Sequence, residues 1–109
     1  MDGKFLGKIE SAEFGQVPDR PCIFGIRLRF RICDGSFVGD GGRYSTNMNP
    51  ECNWSATERN TDAYRVLEHL NNILNDAKVN YVSELINKPV EVTIEGNCFK
   101  DFRILTEVL

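Results

Sequence analysis

Residues Phe24–Cys33 read FGIRLRFRIC, and their alternation decides the fold class. Phe24, Ile26, Leu28, Phe30 and Ile32 fall on one side of an extended chain, and Arg27, Arg29 and Arg31 on the other. Period-two patterning of this length predicts a β-strand with one buried face. The three arginines either form a solvated surface or face something anionic. Upstream, GKFLGKIESAEF (Gly3–Phe14) reads as a weakly alternating strand interrupted at Gly7, and GQVPDRP (Gly15–Pro21) as a loop, because its prolines fit poorly inside a sheet. Downstream, Asp34-Gly35 signals a turn into a short strand near Ser36–Val38. The glycine- and asparagine-rich run Gly39–Trp54 follows, with a further strand expected near Arg43–Thr46.

A helix is expected from Ser55, where Ser55 and Glu58 have the spacing of a capping box. Ala63, Val66, Leu67, Leu70, Ile73, Leu74 and Ala77 then recur every three or four residues and form one apolar stripe. His69 flanks that stripe and is read as a surface residue. Val79–Asn87 reads as a short second helix. The chain closes with a hairpin, in which Val90, Val92 and Ile94 alternate with polar residues before a Gly96-Asn97 turn. On the returning strand Cys98, Phe102, Ile104 and Val108 are expected to face the core, with Phe99, Asp101, Arg103 and Leu105 opposite. The expected fold is α+β in a single domain, residues 1–109. It has a curved antiparallel sheet, open or closed into an OB-like barrel, with one long and one short helix inserted before the C-terminal hairpin.

The chain has 109 residues, 41% of them hydrophobic, which suits one globular core. With 13 basic and 16 acidic residues its formal charge is -3, so broad binding to duplex phosphates is disfavoured. No apolar run approaches the roughly 20 residues of a membrane span, and no signal-peptide pattern opens the sequence, so a cytoplasmic location is expected. Cys22, Cys33, Cys52 and Cys98 include no C-x-x-C pair and there is one histidine; neither a metal site nor a cofactor is expected. No nucleophile–histidine pattern is present, and GDGG (Gly39–Gly42) lacks the lysine and hydroxyl of a P-loop. The chain is therefore read as a binding protein with no catalytic residues.

Three groups of residues are candidates for ligand binding. Arg27, Arg29 and Arg31 share one strand face. Arg43, Asn47, Trp54 and Arg59 cluster around the expected helix N-terminus, where free N–H groups attract anions. Phe99, Asp101 and Arg103 would share the outer face of the last strand, where an aromatic ring, an acid and a guanidinium could stack a base, bind a ribose and clamp a phosphate.

The segments Asp76–Glu95 (DAKVNYVSELINKPVEVTIE) and Phe99–Leu109 (FKDFRILTEVL), with GDGGRYSTN at Gly39–Asn47, CNW at Cys52–Trp54 and ER at Glu58–Arg59, resemble a group of short phage and prophage proteins. In size and layout they are similar to the Thoeris anti-defence sponges. That resemblance implies a homo-oligomeric counter-defence protein, acting inside an infected bacterium, that sequesters a nucleotide-derived immune signal such as a cyclic ADP-ribose isomer or a cyclic oligonucleotide. It carries no ligand residues over to this chain. Single-stranded nucleic acid binding and inhibition of a host defence enzyme are the alternatives. An independent expectation of a homo-oligomer comes from the C-terminal strand, which reads as apolar on both faces. Arg27, Arg29 and Arg31 would then line a ligand cleft or pair with acids such as Glu91 and Glu95.

Overall fold

The computed structural model describes residues 2–109. The chain is α+β. Strands β1 (Gly3–Val17), β2 (Arg20–Ile32), β3 (Phe37–Gly39) and β4 (Ser45–Asn47) precede helix α1 (Ala56–Ala77), and β5 (Pro89–Glu95) and β6 (Cys98–Ile104) follow it. All strand pairs are antiparallel, in the order β3-β2-β1-β5-β6, and β4 shares with β3 the outer edge of β2. The sheet curves but stays open, so no barrel closes.

The arginine strand behaves as its alternation predicts. Ile26, Leu28, Phe30 and Ile32 are buried, while Arg27, Arg29 and Arg31 are exposed on the opposite face. β1 alternates less cleanly because it carries a bulge. The pairs Ile9–Phe30 and Ser11–Arg29 leave Glu10 as an extra residue, so the inward set passes from Phe5, Gly7 and Ile9 to Ala12 and Phe14. The expected loop at 15–21 shrinks to a tight turn at Pro18 and Asp19, since Val17 pairs with Arg20. Pro21 does lie in β2, within the irregular stretch between that pair and Gln16–Phe24, where no ladder N–H is required of it.

Helix α1 begins with the predicted capping box: Glu58 N–H donates to Ser55 Oγ, and Ser55 N–H donates to Glu58 Oε1, both at 3.1 Å. It buries Val66, Ile73 and Ala77, the last two within the core formed with the sheet, while Leu67 stays exposed. The second helix reduces to one 3-10 turn, Val82–Leu85, which buries Leu85 and leaves Ile86 exposed. Gly96 and Asn97 both have positive φ, which makes their turn type I′.

The C-terminal strand departs from expectation. Thr93 pairs with Asp101 but Ile94 pairs with Phe99, so Lys100 is bulged out and every residue before it changes face. Phe99 therefore joins Phe102 on the inner side, where the two rings lie 5.4 and 4.8 Å from that of Phe30. Cys98 is exposed. The strand ends at Ile104, and Val108 in the 3-10 turn that follows is exposed rather than core; Leu109 after it is exposed as well.

The contact between β2 and β4 is close enough to require glycine. A Cβ on Gly25 would overlap the Tyr44 carbonyl oxygen and lie 2.6 Å from Ser45 Cα. Gly25→Ala is expected to destabilise the fold by about 2 kcal/mol or more, measured by denaturant unfolding, because backbone rather than a side-chain tip must move.

Candidate functional site

The exposed face of β2 forms the floor of a cleft of about 580 Å³. Arg20, Arg27 and Arg29 enter it from β2, Ser11, Glu13 and Val17 from β1, Phe37 and Gly39 from β3, and Asp40, Gly41 and Gly42 from the following loop. The register explains the composition, since Arg27 pairs with Glu13 and Arg29 lies between Ser11 and Gly39. Neither Gly39 nor Gly41 has an atom within 4 Å of where a Cβ would stand.

The loop wall is held by one carboxylate. Asp40 is buried, and its Oδ2 accepts the Leu28 N–H at 2.8 Å while Oδ1 accepts Gly42 N–H at 3.0 Å. GDGG is thus a turn anchored on its own acid.

The arginines of the stripe differ. Arg31 pairs with Glu10 at 3.0 Å. Arg29 sits over the Phe37 ring at 4.5 Å, a cation–π contact that fixes the guanidinium without neutralising it. Arg27 and Arg20 form no ion pair among the described residues. The proposed partners lie elsewhere: Glu91 pairs with Arg103 and Glu95 with Lys100. Only Arg31 of the three is spent on a carboxylate.

The other candidates do not assemble with this cleft. Arg59 donates to the carbonyls of Asn49, Pro50 and Cys52 at 2.8–3.1 Å, so its guanidinium holds the loop before the helix. Asn47 Oδ1 accepts the Asn49 N–H within the same loop. Trp54 is half-buried just before the cap, and the residue in the first turn that an apolar side chain at that position could pack against is Arg59. The helix N-terminus already faces the Glu58 carboxyl, held below its usual range by hydrogen bonds with the Ser55 backbone and side chain. Arg43 is exposed on the loop leading into β4, where its carbonyl accepts from Arg65.

On β6, Asp101 and Arg103 remain on the outer face and line a small depression of about 150 Å³ with Lys4, Glu91 and Thr93. Phe99 does not share that face, since the Lys100 bulge turns it inward, so no stacking platform forms there. Arg103 is shared between Glu91 at 3.2 Å and Glu107 at 3.1 Å, and its hydrogen bond holds the Glu107 carboxyl below the usual range.

Tyr44 stacks on His69 at a centroid distance of 4.1 Å, and Tyr44 OH and His69 Nε2 are both buried with no hydrogen-bond partner among the described residues. His69 is half-buried, not a surface residue, and its i+3 and i+4 spacing to Val66 and Ile73 is the signal that pointed inward. Burial pushes the Tyr44 phenol up, and burial pulls the imidazole down against the opposing pull of Asp101. Arg20, Glu13 and Phe37 also line the cleft, and Arg20 lies in the segment expected to be loop.

No protein-family model, curated protein or solved structure matches this chain. Among the described residues there is no metal-holding cluster of His, Cys, Asp and Glu, and no helix is long and apolar enough to cross a membrane.

Two outcomes follow from the buried polar groups. Asp40→Ala leaves the Leu28 N–H without its acceptor and is expected to destabilise the fold by roughly 1–3 kcal/mol in chemical denaturation. For His69, the unfolded imidazole takes up its proton near 6.5 and the folded one only at lower pH. The unfolded state thus binds the proton first, so stability falls as pH drops below about 6.5. Melting curves from pH 7 to pH 5 should show this decline in the parent chain, and His69→Phe should remove that component of it.

Proposed function

We propose that the chain is a non-catalytic binding protein whose Arg27/Arg29 cleft sequesters a compact nucleotide-derived anion, as a phage counter-defence sponge would. The observation that carries this reading is that Arg20, Arg27 and Arg29 line one cleft and form no carboxylate salt bridge among the described residues, although the chain as a whole is acidic. Guanidinium groups suit phosphate because their donors form a planar fork that grips two oxygens at once. Phe37 adds an aromatic surface beside Arg29, and the open glycines Gly39 and Gly41 leave room for a ligand to approach backbone N–H groups. Sequestration requires binding groups alone and no catalytic pair. The phage resemblance supplies the specific ligand class, with cyclic ADP-ribose isomers and cyclic oligonucleotides as the compounds to try.

A thermal-shift screen against these compounds tests the reading. Ligand at a hundredfold excess over Kd stabilises the native state by about 2.7 kcal/mol, which is several degrees in a domain of this size. The double variant Arg27→Gln/Arg29→Gln should lose that shift while its own melting point stays within about 4 °C of the parent, since both side chains are exposed. Gly39→Phe should also abolish the shift by filling the cleft. No stabilisation by any of the compounds overturns the proposal. Binding instead to an unstructured oligonucleotide, with affinity falling steeply as salt rises, would favour the single-stranded nucleic acid reading.

A further inference from the structure

The long strand β1 is paired on both sides only over its first half. Its pairing with β5 ends at Lys8–Pro89, and the last backbone hydrogen bonds on that side are Ile9 N–H to Lys88 O and Asn87 N–H to Ile9 O. From Ser11 to Val17 the strand is bonded to β2 alone among the described residues.

The free groups can be assigned from the bonds β2 makes on its far side. Ile26 N–H donates to Tyr44 O at 3.1 Å and Leu28 N–H to Asp40 Oδ2 at 2.8 Å. Even-numbered residues of this part of β2 therefore spend their backbone on the β3/β4 side. Gly25, Arg27 and Arg29 face β1, where they pair with Gly15, Glu13 and Ser11. Alternation along β1 then turns the N–H and C=O of Ala12, Phe14 and Gln16 outward.

We propose that this edge pairs with the same edge of a second copy of the chain, antiparallel about a two-fold axis at Phe14. In that register Phe14 exchanges both backbone hydrogen bonds with its own counterpart, and Ala12 exchanges them with Gln16 of the second copy, so every outward donor meets an outward acceptor. Self-complementarity of this kind is what a two-fold interface requires. The side chains agree with it. Phe14 is 42% exposed, with its ring 5.0 Å from that of Phe24, and cross-strand pairing brings the aromatic pairs of the two copies together. Glu13 is the one charged residue in the stretch, and it would lie opposite Gly15, so no like charges oppose each other. The segment contains neither the lysine nor the proline that commonly protects a strand edge, and irregularities in the β1–β2 ladder at Glu10 and after Gln16 bound its length. This dimer does not depend on the ligand proposed above, and it replaces the C-terminal strand as the reason to expect assembly.

Sedimentation of the parent chain at tens of micromolar should give about 25 kDa, twice the 12.4 kDa of one copy. Phe14→Lys sets like charges across the axis and should return the mass to that of one copy. Gln16→Pro removes an outward N–H that the β1–β2 ladder does not use, and should do the same with far-ultraviolet circular dichroism unchanged. If Phe14→Lys fails to fold, Gln16→Pro decides. A parent chain that stays monomeric at hundreds of micromolar overturns the proposal, and so does a folded Gln16→Pro variant that remains dimeric.

Discussion

The buried carboxylate of Asp40 decides how strand β2 is used. Two short strands share the outer edge of β2, with β3 pairing at Arg29–Arg31 and β4 at Ile23–Gly25. Between them the Leu28 N–H would face no strand residue. Asp40 Oδ2 supplies the acceptor, Asp40 N–H returns a bond to Leu28 O, and Oδ1 takes the Gly42 N–H that starts the next turn. A side chain thus stands in for a missing strand residue, as backbone groups removed from water require. The same anchor sets the far wall of the cleft and delivers Tyr44 to the interior, where its carbonyl reaches Ile26 and its ring stacks on His69. From Phe30 through Phe102 and Tyr44 to His69 the rings form a continuous contact from sheet to helix.

The chain's arginines divide by what lies within their reach. Helix α1 aims Arg59 at three loop carbonyls, and Arg65 at Asp62, Arg43 O and Ser45 O. Asp62, held below the usual carboxylate range by Arg65 and then by Thr46, ties the helix to β4 through the buried Thr46 hydroxyl. These guanidinium groups replace secondary structure in a segment that has little of it. On the sheet face the alternatives are fewer. Cross-strand neighbours of Arg29 are Ser11 and Gly39, neither of which can neutralise it, so its charge is left for solvent or a ligand.

Elements governed by local rules were legible in the sequence. The arginine strand, the Ser55–Glu58 cap, the apolar stripe of α1 apart from Leu67, and the Gly96-Asn97 turn each depend on residues close in sequence, and each formed where periodicity and capping chemistry indicated. What failed was the parity of strands that carry bulges. Alternation assigns a face only while the ladder is regular, and one extra residue at Lys100 moves Phe99 from the outer face into the core. The same event at Glu10 blurred the pattern of β1. The expected β6 site was lost in this way, whereas the Arg27/Arg29 face survived because β2 is regular from Phe24 onward. The remaining residues of the cleft, Arg20, Glu13 and Phe37, are joined to it by pairing between strands, which no single segment displays. The Arg59 cluster differs from expectation for another reason: a guanidinium near a helix N-terminus suits an anion, but here loop carbonyls satisfy it.

Strand β1 serves three functions with three sets of groups, and the irregularities in its pairing with β2 keep them apart. Inward side chains such as Ile9 belong to the core, Ser11 and Glu13 belong to the cleft, and the backbone of Ala12, Phe14 and Gln16 faces outward. Without the bulge at Glu10, Ala12 and Phe14 would fall on the arginine face, and Ser11 and Glu13 would point toward the core. A buried carboxylate at Glu13 without a partner would be strongly destabilising. The bulge therefore makes the cleft and the core compatible on one strand, and it also places Glu10 where it can pair with Arg31. That ion pair lies at the end of the stripe, outside the cleft, so the extra residue neutralises the arginine the cleft does not use, while within the cleft Glu13 stands opposite Arg27 and Arg29 has only Ser11 and Gly39 beside it.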